Sequence, residues 1–448
     1  MSYTSSNESI GSINFESSST RPADFDEMTM ELESIDGVEY IGFTTATATE
    51  IFSNWQRRPD GEYNPYSLWD YIYAHILGLQ YVFGPLAPRN QPPSKTPAEA
   101  MTDLGIRQDV QDGILDAEYT WLFETQPLLF WLEDTLKVNY YHIIEVLKDG
   151  KDGGRCQAKR PALPARPPVM TSDGSTQATT EVSVDVSTET SAKASTESSP
   201  ERSGSAYFKG FTVVDTPPAA LEGHTVLYKA IAAPLIKASP PPLVNEDGNI
   251  DLFCLSRPPP EDFSPCETGV QYWFPEKETA DTYLGYAARR NPGKEMLLLQ
   301  IQVPDAFLEP FNTEHLYFSP EWKEYVWWCR RGGEPDKYRY LWAGADLIKG
   351  HIMGMNYARL QAVEKDDVQT AITYEHVMEV PGSGRKATQW VFMNKREIVA
   401  DLTEAIKGKI HITFKHQATE EMTELTDSYA VELSSEWSKE QSDKQSGQ

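Results

Sequence analysis

Apolar residues recur along this chain with two different periods, and the change between them divides it. Between about 50 and 148 they recur in steps of three and four, the period of a helix with one buried face. Leu68, Ile72, Ile76 and Leu79 form the first stripe, and Gly84-Pro85 ends it. A Pro-rich loop, 88–97, leads into Thr96-Pro97-Ala98-Glu99. That order predicts a helix start, with Thr as N-cap, Pro at the first helical position and Glu three residues past the cap. Leu129, Leu132, Leu136, Tyr140, Ile143 and Leu147 form the clearest stripe and predict a helix over 126–148, with Pro127 in its first turn. Trp121, Phe130 and Trp131 add bulk to the same core. Together these predict a small all-helical domain over 41–149.

From about 208 to 414 the pattern shortens. Apolar and β-branched runs at 226–228, 271–274, 296–303, 347–352, 371–374, 388–392 and 410–414 predict strands. Helical patterns fall at 276–290 and 395–407. Ser319-Pro320 predicts another helix start, with Trp322, Tyr325 and Val326 on one face. The plain reading is a core helix. The sharper one is a surface where these aromatics and the pair Arg330-Arg331 meet a partner. Short strands with few helices predict an α+β domain over 206–416 rather than a doubly wound parallel sheet.

Three stretches lack either period: 1–40, 150–205 and 417–448. They are rich in Ser, Thr and acidic residues, with a basic Pro-rich run, RCQAKRPALPARPP, opening the middle one. Such composition buries too little to offset chain entropy and predicts disorder, apart from a short helical pattern at 423–437. A linker of about 55 residues makes independent motion of the two folded parts the default.

Charge and cysteine usage narrow the function classes. The net charge of −27 argues against an extended nucleic-acid surface and against anionic membranes. The four cysteines form no CxxC pair and have no His at metal-ligand spacing, which points to a reducing compartment. The first residues, MSYTSSNESIGS, carry no secretory signal, and the apolar run from Met296 is too short to span a bilayer. The expectation is a cytoplasmic or nuclear protein, not secreted, with an unidentified protein partner.

The chemistry is not announced by a common motif. GxSxG, HExxH, GxGxxG after a strand and the P-loop pattern do not occur. Histidines such as His224, His315 and His351 have no evident carboxylate partner, and nothing marks Cys254, Cys266 or Cys329 as an activated nucleophile. The stretch GVQYWFPEKETADTYLGYAARR, from Gly269 to Arg290, is the exception. It reads as an exposed aromatic strand feeding a helix start, a place for a planar anionic ligand. It reads equally as an ordinary strand and helix, and the acids in the first helical turn oppose a pyrophosphate.

Order supplies a further signal. LYKA (227–230), QYWFPEKETADTY (271–283), LLLQIQVP (297–304), ADLIKGHIMG (345–354) and TQWVF (388–392) follow one another. This succession resembles the ADP-ribosyltransferase-like fold, over about 226–406. That family has an LYHG or LYRG strand, a GFYLT strand before a helix, a strand ending in a Val-Pro turn, a DIxxGP strand and a late strand bearing the catalytic Glu. The resemblance implies NAD or ADP-ribose as ligand. It puts Lys229 where the family holds NAD with His or Arg, Tyr272 where a Tyr stacks on nicotinamide, and Gln389 at the catalytic Glu. Phe274 replaces the Thr of GFYLT. A neutral Gln neither stabilises an oxocarbenium-like centre nor acts as a general base, and Lys lacks the directed contact of imidazole or guanidinium. The resemblance therefore implies a degenerate domain used for binding or scaffolding. The alternatives are an active NAD-dependent transferase or glycohydrolase with a non-standard site, and a purely structural interaction module.

Overall fold

The structure, a computed structural model, describes residues 31–57, 66–81, 95–152, 211–237, 243–244, 250–256, 261–264, 270–333, 336–393 and 396–415. Its first part is helical: α1 Ile35–Ile41, α2 Thr45–Gln56, α3 Leu68–Ile76, α4 Pro97–Asp103, α5 Gln108–Ile114, α6 Thr120–Phe123 and α7 Leu128–Asp152. The helices begin earlier than the sequence pattern indicated. Ser34 caps α1 through the Gly37 amide, and Val38 and Ile41 are buried, so 35–40 belongs to the helical region. The reciprocal cap expected at α4 is present. Thr96 accepts from the Glu99 amide, and the Glu99 carboxylate accepts from the Thr96 amide. Leu132, Leu136 and Ile143 of the α7 stripe are buried as the spacing requires.

The second part is α+β. Its strands are β1 Thr212–Val213, β2 His224–Ala232, β3 Val270–Trp273, β4 Met296–Pro304, β5 Thr313–Leu316, β6 Leu347–His351, β7 Thr388–Met393 and β8 Ile410–Lys415. Its helices are α8 Ala233–Lys237, α9 Lys277–Arg290, α10 Asp305–Leu308, α11 Pro320–Arg330, α12 Tyr357–Ala362, α13 Val368–Ala371 and α14 Arg396–Ala405. They build two four-stranded mixed sheets, ordered β1-β8-β4-β2 and β3-β7-β6-β5. β4 runs antiparallel to both β2 and β8, and its even and odd residues enter different cores. Its two glutamines are buried because they bond the segment lying over them. Gln300 donates to the Pro218 carbonyl, and Gln302 accepts from the Leu221 amide.

One expected strand fails. At 371–374 the chain leaves α13 and enters a helical turn, Tyr374–His376. Thr373 and His376 cap each other there, and this local hydrogen bonding wins over the β-propensity of Ile372 and Thr373. The segments 1–30, 153–210 and 416–448, including the helical pattern at 423–437, lie outside the described residues. No helix among the described residues is long and apolar enough to cross a membrane.

The two parts do not stand apart. One apolar cluster combines Ile41, Ile114, Leu132 and Leu136 of the helical region with Ala280, Leu284, Tyr286 and Met296 of the α+β region. Tyr286 donates to the Ile114 carbonyl at 2.8 Å, and Lys237 pairs with Glu145 at 2.6 Å. Arg289 pairs with Asp116, and Arg290 with Asp134 at 2.9 Å. The linker length suggested independent motion, but shared apolar burial overrides it.

Candidate functional site

The two sheets meet where β2 and the end of β3 exchange a pair of backbone hydrogen bonds. Tyr228 donates to the Phe274 carbonyl at 2.7 Å, and Phe274 donates back at 2.8 Å. Beyond that junction a cavity of about 120 Å³ opens between the sheets and the helical region. Lys229, Tyr272 and Gln389 all line it, so the three residues singled out in the sequence are brought together. Phe274 lines it too and stacks on Tyr283, with centroids 5.0 Å apart.

Each of the three is already engaged. Lys229 is buried and donates its Nζ to the Tyr272 carbonyl at 2.9 Å, 5.7 Å from the Trp273 ring centre. The Tyr272 hydroxyl accepts from the Phe263 amide at 3.0 Å, and burial drives its pKa well above the ordinary tyrosine range. Gln389 donates its Nε2 to Asp262 Oδ2 at 2.8 Å. The β3 strand is buried at all four positions, which corrects the expectation of an exposed aromatic platform. Its alternating side chains enter different cores, Tyr272 on one side and Trp273 on the other. The helix start beyond it is not an anion site either. Its N-cap residue is Glu276, whose carboxylate makes no capping hydrogen bond and accepts instead from the Thr388 amide and hydroxyl.

The centre of the site is an ion pair that sequence reasoning missed. Asp262 and Arg330 are both almost wholly buried, with Arg330 Nε donating to Asp262 Oδ1 at 2.7 Å. Asp262 Oδ2 accepts from Gln389 and from the Met353 amide at 2.9 Å. Burial alone disfavours the guanidinium charge, but the carboxylates of Asp262 and Glu261 outweigh it and raise the Arg330 pKa. Arg330 Nη1 then donates to the Thr125 carbonyl of the helical region at 2.9 Å, and Gln126 beside it donates to Glu261 at 3.1 Å. The loop between α6 and α7 thus forms part of the cavity wall. The aromatic face of α11 is core, with Trp322, Tyr325 and Val326 fully buried, and Arg330 turns inward rather than toward a partner. Asp262 follows a run of prolines with no pattern around it. Arg330 was visible only as half of an Arg pair.

The remaining candidates recede. Burial pushes the Cys254 thiol up to about 12, and Cys329 is fully buried. Cys266 lies outside the described residues. His351 accepts from the Phe318 amide through Nδ1, and burial together with Lys386 lowers its pKa. Among the described residues no group of three or more His, Cys, Asp or Glu side chains is placed to hold a metal ion.

NAD does not fit this site as it stands. Pockets that hold cofactor-sized ligands measure about 300–1,000 Å³. The polar atoms that would face the cofactor instead bond the protein. No family model matches the chain, and no curated protein or solved structure matches it either.

Proposed function

We propose that the α+β region is a non-catalytic relative of the ADP-ribosyltransferases, and that the chain acts as a binding or scaffolding protein. One observation carries this reading: the cleft holding Lys229, Tyr272 and Gln389 is narrowed by the Asp262–Arg330 pair and the loop at Thr125 to a cavity of about 120 Å³. The motif order supports the kinship. LYKA lies on β2, QYWF on β3, LLLQIQVP on β4, ADLIKGH on β6 and TQWVF on β7. The first pairs with the third, and the fifth with both the second and the fourth.

The loss of catalysis follows from the residues at those positions. Cleavage of a nicotinamide glycosidic bond needs a negative charge beside the developing cation. Gln389 is neutral, and its amide is committed to Asp262. Asp262 is itself neutralised by Arg330.

The purified full chain, incubated with NAD, should release nicotinamide no faster than buffer. Gln389→Glu, which puts the family carboxylate back, should also be inactive. Its new charge lies against Asp262, and the cavity stays too small for NAD. Turnover by either protein, well above buffer, overturns the reading and favours the transferase or glycohydrolase alternative.

A further inference from the structure

The turn between α9 and β4 brings a lysine to the seam between the two parts of the molecule. Lys294 is half-buried there, outside the residues that line the cavity. Its Nζ lies 4.8 Å from the ring centre of Tyr40 on α1. Among the described residues no hydrogen bond or ion pair reaches that Nζ, and it is not one of the unpaired polar atoms sealed from solvent. The carboxylates around it are committed elsewhere. Glu295, next in the chain, pairs with Lys237 at 3.0 Å, and Asp109 pairs with Arg107 at 2.7 Å. On the α7 side, His142 stacks on Tyr40 with centroids 6.1 Å apart, and Glu145 pairs with Lys237 at 2.6 Å.

Arg107 is fixed against the same helix end. Its Nη1 donates to the Glu39 carbonyl at 2.7 Å and its amide to the Gly42 carbonyl at 2.9 Å, so it clasps the last turn of α1, which carries Tyr40. Burial, and then the Arg107 charge, lower the Lys294 pKa to about 8, which leaves a sizeable minority of the amine uncharged near neutral pH. A free lysine amine is a nucleophile. An acyl group on it would leave a neutral amide, which only removes the repulsion from Arg107. Carbon dioxide would leave a carbamate, whose negative charge turns that repulsion into attraction. Carbon dioxide is also small and uncharged, so it reaches a half-buried amine without carrying a charge out of water.

We propose that Lys294 is a carbon dioxide site, where the amine becomes a carbamate stabilised by the charge of Arg107. The amine lone pair forms a bond to the carbon of carbon dioxide, one C=O electron pair moves onto oxygen, and the nitrogen releases a proton to solvent. One amine and one carbon dioxide give one carbamate and one proton, with nothing oxidised or reduced. The site stands apart from the cleft and does not depend on whether the cleft is catalytic.

The test incubates the full chain with isotopically labelled bicarbonate at about pH 8, traps carbamates with triethyloxonium ion and locates them by peptide mass spectrometry. Lys294 should carry the trapped group at least about tenfold more often than an exposed lysine of the same sample, such as Lys407. Lys294→Met should lose the label at that peptide. Arg107→Gln keeps the amine but removes the neighbouring charge, and should cut the label about tenfold while circular dichroism confirms the fold. If Arg107→Gln does not fold, the comparison with Lys407 decides. Bicarbonate should also raise the melting temperature of the wild-type chain above its value in equal chloride, and leave that of Lys294→Met unchanged. Labelling of Lys294 no greater than that of Lys407, or full labelling in a folded Arg107→Gln, would overturn the proposal. NAD turnover would bear on the cleft alone, so the two failures are distinguishable.

Discussion

Lys294 sits where the two parts of the molecule meet, 4.8 Å from the Tyr40 ring centre. Burial, reinforced by Arg107, lowers its pKa from 10.5 to about 8. Between those values the unfolded chain holds a proton that the folded protein does not. Stability therefore rises as pH goes from 8 to 10.5, and the burden is fully present below 8. Lys294→Met should raise stability at pH 7 by roughly 1–2 kcal/mol and flatten the pH dependence over that window. Urea unfolding at several pH values checks both; an unchanged slope contradicts the assignment. Arg330 behaves in the opposite sense. Arg330→Met leaves Asp262 buried with only Gln389 and the Met353 amide, and should cost about 3–5 kcal/mol. Adding Asp262→Leu should recover part of that loss, giving a non-additive double-mutant cycle. Additive losses would mean that the two side chains do not act as a pair.

At the scale of elements, the two parts approach closely helix on helix. A Cβ on Gly113 of α5 would lie 2.9 Å from the Arg289 carbonyl oxygen and 3.2 Å from Arg290 Cα of α9. Backbone cannot step aside as a side-chain tip can, so Gly113→Ala should cost about 1–3 kcal/mol and lower the melting temperature. A neutral result would mean that α5 and α9 are not held at this distance. Most elements were legible because a single period marked each one. The α7 stripe, the capping box at Thr96 and the Ser319-Pro320 start all describe local physics, and each appears where the pattern put it. A Cβ on Gly350 would lie 2.2 Å from the Leu316 carbonyl oxygen, the kind of close backbone approach that a glycine inside a strand marks. The site was half legible. Lys229, Tyr272 and Gln389 sit on strands with recognisable patterns. Asp262 lies in a loop, and the backbone carbonyl of Thr125 carries no sequence signal. Such contacts depend on how distant segments pack, which periodicity does not encode.

At the scale of the molecule, the helical region is part of the α+β core rather than a neighbour on a tether. Ile114 and Leu136 share an apolar cluster with Leu284 and Met296, so neither part can lose its structure without exposing the other. Unfolding should be one cooperative step, with tryptophan fluorescence and far-ultraviolet circular dichroism giving coincident transitions. Two separated transitions would show that the parts fold independently. That same union narrows the cleft, because the loop at Thr125 and Gln126 supplies the groups that meet Arg330 and Glu261. The most direct test of the proposed non-catalytic cleft is titration calorimetry of the full chain with NAD and with ADP-ribose. The account predicts no heat beyond dilution for either; saturable binding that is lost in Tyr272→Ala would contradict it.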